Sequence, residues 1–396
     1  MKSFRRRRDS IRGFLSAGVR RSRSRSSTHS NRSQVHVSWD EDTPNIIVTA
    51  DTVGFDESIF NEFREEGFDG AYLPNTDSPK DYDRQLQGIS DSLEFGHRYA
   101  IVAYGSAASL VLEACTKPMP KLCAVVAYYP TYLPNNTANI PTSIENLIIH
   151  LAGSQSFDGK ERCFIYPGSD VGFAQRDSSR YDPVNANIAW GRTLACLKAG
   201  FGINSDPEPH WKNHLLMKFT SKNVDDTMDT LAANARVHYV PTLTGGVGNQ
   251  ELRRFYEEDF ISKIPPSLQT RLISRTKGTD HIVDETLYSF KHTQEIPWML
   301  PGVPPTGKDV EVVIVSIVRI RNNKVCYENV YWDQASVLVQ VGLLDPNHIP
   351  PGFNPSKPMG AENSFRRLPV VGMESAQSVL DNVRKHGETG EVGLTI

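Results

Sequence analysis

Cysteine is scarce: the 396 residues hold five, at Cys115, Cys123, Cys163, Cys196 and Cys326. Their number is odd and no Cys-x-x-Cys or Cys/His ligand spacing occurs, which argues against a disulfide framework and a structural zinc site. Long apolar runs are lacking as well. None approaches the roughly 18–20 residues that cross a bilayer, and no apolar segment follows the N-terminal positive charges. Neither a membrane span nor classical secretion is therefore expected, and a reducing compartment, the cytoplasm, fits the free thiols. Acid is almost missing from residues 1–32, which carry eleven Lys/Arg against Asp9 alone. The remainder keeps 32 basic and 45 acidic residues, a body near −13 beneath an overall charge of −3. Such a body is a poor partner for phosphate backbones, so nucleic-acid binding by the globular part is not expected.

What is present divides the chain. Residues 1–34 form an Arg/Ser-rich extension (RRRR from Arg5, RRSRSRSS from Arg20). Its composition suits a solvated tail, a phosphorylatable segment or a mitochondrial transit peptide, so a mitochondrial location is the alternative. Residues 35–203 alternate short apolar runs with amphipathic stretches: Ile46–Ala50, Glu57–Gly67, Gly70–Leu73, Tyr82–Leu93, Tyr99–Ala103, Ala107–Cys115, Leu122–Tyr129, Asn146–Leu151, Arg162–Tyr166 and Ala186–Phe201. This alternation predicts a doubly wound, mostly parallel α/β sheet. Polar residues 204–215 read as a linker. Residues 216–346 place helices first (Lys222–Ala235, Gln250–Ile261), then long strands at Leu272–Lys277, His281–Thr293, Val310–Arg321 and Val325–Trp332, an α+β domain with a curled antiparallel sheet. Asn322-Asn323 marks a tight hairpin. Residues 347–396 read as irregular apart from one helix, Ser375–Lys385.

Two resemblances emerge. Val102-Ala103-Tyr104-Gly105-Ser106-Ala107-Ala108 lies where an α/β hydrolase puts its nucleophile elbow. Together with Tyr166-Pro167-Gly168-Ser169-Asp170-Val171-Gly172-Phe173 and the helix bearing Ala189-Trp190-Gly191-Arg192-Thr193, it resembles the dienelactone hydrolase (carboxymethylenebutenolidase) family over about Asp51–Gly202. Position by position, Gly105 stands in the nucleophile's place, with Ser106 one residue late, and Val171 replaces the catalytic His. Nucleophilic catalysis needs nucleophile, base and orienting acid together, so a hydrolase scaffold without its chemistry is expected, a lactone or ester hydrolase using Ser106 being the alternative.

The second half ends Tyr327-Glu328-Asn329-Val330-Tyr331-Trp332-Asp333-Gln334, then Ala335-Ser336-Val337-Leu338-Val339-Gln340-Val341-Gly342-Leu343. This is similar to the SnoaL-like polyketide cyclases, within the nuclear-transport-factor-two-like cone superfamily, over about Ser221–Pro346. The resemblance implies that Asp333 matches the general base and that Arg319 falls where the cyclases carry a His. It also implies a homodimer through the cone's open sheet face. On the strand from Asp280, alternation puts Asp280, Asp284, Tyr288 and His292 on one face and His281, Glu285, Ser289 and Thr293 on the other. His292 and Glu285 join Asp333 as catalytic candidates, and Arg319, Trp298, Tyr331 and Tyr288 as pocket residues. Asp333 can equally cap the helix that follows it. No metal or other cofactor is expected. The functional expectation is an enzyme or accessory protein that acts on a small polyketide- or lactone-type metabolite by proton abstraction, cyclisation or isomerisation. The alternative is a non-catalytic ligand-binding or dimerisation scaffold.

Overall fold

The computed structural model describes residues 43–75, 78–134, 144–157, 162–348 and 367–386. The Arg/Ser-rich extension lies outside them. The first half builds β1 (Asn45–Ala50), α1 (Glu57–Glu65), β2 (Asp69–Pro74), α2 (Pro79–Gly88), β3 (Tyr99–Tyr104), α3 (Gly105–Ala114), β4 (Leu122–Tyr128), β5 (Asn146–Ala152), β6 (Cys163–Tyr166) and α4 (Pro183–Phe201). The strands form one sheet in the order β2-β1-β3-β4-β5-β6, each pairing parallel to its neighbour. Every residue of β1, β3 and β4 is buried, as a parallel sheet covered on both faces requires. One face packs against α1 and α4 through Phe60, Phe63, Trp190 and Leu194. The other packs against α2 and α3 through Tyr82, Leu86, Val111 and Leu112. The order reverses between β1 and β3, the switch point at which α/β sheets open a crevice.

The second half is α+β. It opens with α5 (Glu208–Leu215), prolonged by a π-type turn over Leu216–Ser221. Next come α6 (Val224–Asp229), β7 (Leu231–Tyr239), β8 (Thr244–Val247) and α7 (Gly248–Arg254), the last prolonged by a second π-type turn over Phe255–Phe260. The strands β9 (Gln269–Lys277), β10 (His281–Lys291), β11 (Asp309–Arg321) and β12 (Lys324–Trp332) and the helix α8 (Gln334–Gln340) complete it. The sheet order is β8-β7-β12-β11-β10-β9. Bulges between Glu285 and Thr286 and between Arg319 and Ile320 interrupt the ladders, and bulges bend and twist the strands that carry them. Asn322 and Asn323 take φ +45° and +61°, the left-handed pair that a type I′ hairpin demands.

Three expectations need correction. The sheet is mixed, since β7 runs parallel to β12. The helix expected over Lys222–Ala235 ends at Asp229, and Leu231–Tyr239 is a strand. Leu231, Ala235, Val237 and Tyr239 are buried from that strand, and this packing overrides the helical preference of its alanines. The polar stretch read as a linker contains α5, whose Trp211 is 1% exposed within the second core. The glycine-rich run Thr244–Val247 is β8. Gly245 has φ +114°, and a Cβ there would meet the Val237 carbonyl oxygen at 2.0 Å, so glycine is needed for β8 to lie against β7. A final helix, α9 (Glu374–His386), covers part of the sheet's outer face, where Ala376 packs with Ile273 and Leu287.

Candidate functional site

In the first half β3 passes directly into α3 at Gly105, and the polar groups at this junction are satisfied internally. Gly105 opens α3 with φ +64°. The Asp51 carboxylate, just beyond β1, accepts from the Ser106 backbone N–H at 2.7 Å, the Ala107 N–H at 2.9 Å, the Ser106 hydroxyl at 2.5 Å and Asn75 Nδ2 at 3.0 Å. Partial burial alone would raise the Asp51 carboxyl, but these hydrogen bonds hold it below its ordinary value. The carboxylate thus sits on the helix N-terminus that would otherwise receive an anion. A Cβ at residue 105 would meet Asp51 Oδ2 at 2.6 Å, so a larger nucleophile cannot replace the glycine without displacing Asp51. Val171 is 48% exposed. His150 is fully buried, its Nδ1 on the Tyr166 hydroxyl at 2.7 Å and its Nε2 on Thr193 at 3.1 Å. Burial, aided by Arg192, pushes its pKa down to about 3. Among the described residues no imidazole bonds to Ser106.

The polar centre of the second half lies elsewhere, on residues that sequence reasoning passed over. His214 and Lys218 stand four residues apart where α5 passes into its π-type turn, so both project from one face. Glu328 shares the buried face of β12 with Val330 and Trp332. Lys218 Nζ donates to Glu328 Oε1 at 2.8 Å, with side chains 2% and 1% exposed. Four aromatic rings surround the ammonium, with centroids 5.0 Å (Phe260), 5.5 Å (Phe219), 5.6 Å (Tyr239) and 6.0 Å (Tyr256) away. Cation–π attraction and the carboxylate together offset the loss of hydration.

Proton accounting at His214 is informative. Thr230 donates its hydroxyl proton to the Thr227 carbonyl at 2.6 Å, so towards His214 Nδ1, also at 2.6 Å, it can only accept. Nδ1 therefore carries the imidazole proton. Burial and the nearby Lys218 charge hold the ring far below its ordinary pKa and hence neutral. Nε2 is then a bare lone pair, and it faces Glu328 Oε2, a second acceptor, at 3.8 Å. Among the described residues both atoms are buried without a hydrogen-bond partner, as is the Tyr256 hydroxyl, whose ring stands 6.4 Å from the His214 ring. Burial and Glu328 keep that phenol protonated. Two buried acceptors in mutual view need a donor between them, because each otherwise carries the full desolvation penalty.

The residues singled out from the sequence are dispersed. Asp333 is exposed and caps α8, accepting from the Ala335 and Ser336 N–H groups at 3.0 and 3.2 Å. Asp333→Ala is expected to cost about 1 kcal/mol and Asp333→Asn a few tenths, measurable by urea denaturation. The face of β10 that carries Asp284, Tyr288 and His292 is the buried one, whereas Glu285 lies on the opposite side and accepts from Ser274 at 3.2 Å. His292 lies one residue beyond β10, with Nδ1 accepting from the Thr306 N–H at 3.3 Å. Asp284 accepts from Arg275 at 2.7 and 2.6 Å and from the Trp211 indole at 2.7 Å. Tyr288 packs on Phe219, and Trp298 on Tyr239 and Phe260, so these two adjoin the centre. Tyr331 is 37% exposed on the other face. Arg319 leaves the second core altogether: it donates to His281 Nε2 at 2.8 Å and to Asn187 of α4 at 3.2 Å. The centre is thus Lys218, Glu328, His214 and Tyr256, bordered by Trp298 and Tyr288, without Asp333, Glu285 or Arg319. Among the described residues no group of His, Cys, Asp and Glu could hold a metal ion, and no helix is long and apolar enough to cross a membrane.

No family model and no curated protein matches the chain. Solved structures do. A putative SnoaL-like polyketide cyclase from Jannaschia sp. CCS1 is 17% identical over 36% of this chain and 98% of its own, with a TM-score of 0.30. Wild-type IdmH, a putative polyketide cyclase from Streptomyces antibioticus, is 19% identical over 35% of this chain and 99% of its own, with a TM-score of 0.28. TsrD from Streptomyces laurentii is 17% identical over 35% and 96%, with a TM-score of 0.29.

Proposed function

We propose that the second half is a SnoaL-like cone that acts on a small, neutral, oxygen-rich metabolite of polyketide or lactone type by proton transfer in its interior. The reading places the chemistry at Glu328, His214 and Tyr256 rather than at Asp333, which is engaged as a cap. The first half stands beside it as a dienelactone-hydrolase-like scaffold whose elbow is occupied by Asp51. One observation carries the proposal: His214 Nε2 and Glu328 Oε2, two buried acceptors, lie 3.8 Å apart and neither bonds to a donor among the described residues. A substrate hydroxyl or an acidic C–H answers that arrangement. In this scheme Glu328 takes the carbon-bound proton and the electron pair moves onto the adjacent carbonyl. The resulting enolate oxygen accepts from the Tyr256 O–H, and His214 Nε2 orients a substrate hydroxyl. Lys218 holds the carboxylate in place.

The test uses a neutral 1,3-diketone, 2-acetylcyclohexanone, in D2O with the full chain, following deuterium entry at the acidic carbon by proton NMR. Exchange above the buffer rate is expected, with a loss of roughly 100-fold or more in Glu328→Gln and a smaller loss in Tyr256→Phe. Asp333→Asn should stay within about twofold. Loss of exchange in Asp333→Asn with retention in Glu328→Gln would overturn the assignment. A second reading, a non-catalytic binding or dimerisation scaffold, draws on the Lys218 side chain and its rings filling the interior. It predicts no exchange above buffer by the intact protein.

A further inference from the structure

The first half meets the second along one face of α4, where Asn187, Trp190 and Gly191 stand at i, i+3 and i+4. Against that face lie the turn that opens β10 and the far end of β11. Asp280 is 3% exposed, and a Cβ at residue 191 would stand 3.9 Å from its Oδ1, so the carboxylate lies against the helix. Arg321 reaches over the Trp190 ring, its Cζ 5.7 Å from the centroid. Ser205, just beyond α4, donates to the Thr279 carbonyl at 3.0 Å. None of these groups belongs to the centre around Glu328.

A chain of hydrogen bonds crosses this junction. Arg319 Nη1 donates to Asn187 Oδ1 at 3.2 Å, and Arg319 Nε donates to His281 Nε2 at 2.8 Å. A guanidinium can only donate, so His281 Nε2 is bare and the imidazole proton sits on Nδ1, which bonds Asp280 Oδ1 at 2.5 Å. The other carboxylate oxygen, Asp280 Oδ2, is buried and has no hydrogen-bond partner among the described residues. Arg319 Nε stands 3.7 Å from it and Arg321 Nε 4.0 Å. Arg319 Nε thus has two acceptors within reach and uses one. Burial alone would raise the Asp280 carboxyl, but the His281 bond and the charges of His281, Arg319 and Arg321 hold it below its ordinary value. The His281 side chain is 36% exposed, so solvent protons reach it. The charged groups facing the ring are Asp280 from its own turn and Arg319 and Arg321 from β11. Behind them Cys326 and Tyr327 of β12 act on Arg319, and Glu62 of α1 on Arg321. The turn after β9 brings uncharged Gly278, whose N–H bonds the His281 carbonyl at 2.8 Å, and α4 brings neutral Asn187.

We propose that His281 is a proton-operated latch between the two halves: a proton taken from solvent turns Nε2 into a donor, moves Arg319 Nε onto the unpartnered Asp280 Oδ2, and withdraws Arg319 from Asn187 of α4. The release is local, because the Ser205–Thr279 bond and the Arg321–Trp190 contact do not involve the imidazole. The full chain, deuterated and labelled with nitrogen-15, is titrated by NMR from about pH 8 to about pH 5, the interval in which histidine changes charge. His281→Gln and Asn187→Ser assign the two side chains. At the upper end the His281 ring should show a protonated Nδ1 and a bare Nε2. As Nε2 takes up its proton, the Asn187 side-chain amide should shift with the same midpoint. In Arg319→Gln the imidazole should still titrate and the Asn187 shift should be lost, because the link runs through the guanidinium rather than through the field of the imidazolium. An Nε2–H tautomer at the upper end would overturn the proposal, as would a ring that stays neutral across the interval. So would an Asn187 amide that stays still while His281 titrates, or one that follows it equally in Arg319→Gln. The tautomer and the shared midpoint are read on the parent protein, so they decide the matter even where Arg319→Gln folds poorly.

Discussion

Lys218→Met is expected to destabilise the second half by about 3–5 kcal/mol, the usual cost of leaving one member of a buried ion pair uncompensated. The Glu328 side chain is 1% exposed, and Lys218 Nζ, at 2.8 Å, supplies its one hydrogen bond among the described residues. Methionine would fill the volume among Phe219, Tyr239, Tyr256 and Phe260 without supplying charge. Glu328→Gln alone strands the ammonium less severely, because the four rings still face it and the amide oxygen can still accept. The double variant Lys218→Met/Glu328→Leu removes both charges and should recover most of the loss, since apolar replacements of buried pairs are often neutral or stabilising. Urea unfolding of the parent, Lys218→Met, Glu328→Leu and the double variant closes the cycle and measures the coupling directly. A Lys218→Met protein within about 1 kcal/mol of the parent would mean that water reaches the carboxylate and that the centre is not sealed.

The same two residues show where the sequence was transparent and where it was not. β1, β3 and β4 are near-continuous apolar runs because both of their faces are covered, and that signal survives without context. The hairpin at Asn322-Asn323 was equally plain, because a type I′ turn needs two positive φ angles that asparagine tolerates. Parity on β10 grouped Asp284, Tyr288 and His292 correctly, yet it could not say which face pointed inward, and the bulge at Glu285 complicated the count. Glu328 was within reach: counting back by twos from Trp332 and Val330 puts it on their face. It was passed over because a lone Glu on a strand is usually solvated. Lys218 and His214 carried no such signal, because π-type turns break the 3.6-residue period and a polar segment with two prolines reads as a linker. Asp333 drew attention through family likeness, but its local chemistry, an Asp immediately before a helix, is capping chemistry.

Acidification from about pH 7 to about pH 5.5 is expected to lower stability by about 1 kcal/mol for each of two histidines, well before most carboxylates titrate. His150 is held down to about 3, and His214 lies well below the ordinary value near 6.5. In both, burial disfavours the imidazolium, with Arg192 and Lys218 respectively adding repulsion. A depressed histidine leaves the unfolded chain binding more protons than the folded one throughout the interval between the two pKa values. Stability is therefore fully present above the unfolded value, declines as pH falls through it, and stops declining only below the folded value. Asp51 and Glu208, held below their usual range by their hydrogen bonds, act only at lower pH. Glu62, raised by burial, acts in the opposite direction, whereas His292, lowered by its own burial, adds to the loss. Urea denaturation at the two pH values measures the combined loss, about 2–2.5 kcal/mol. His150→Gln and His214→Gln should each remove roughly half of the difference while lowering stability at neutral pH. Stability that is flat over this interval would mean that the folded chain accepts a proton at these sites. For His214 that outcome would also undo the tautomer on which the two facing acceptors depend, because a protonated Nε2 would donate to Glu328 Oε2 and leave no place for a substrate donor.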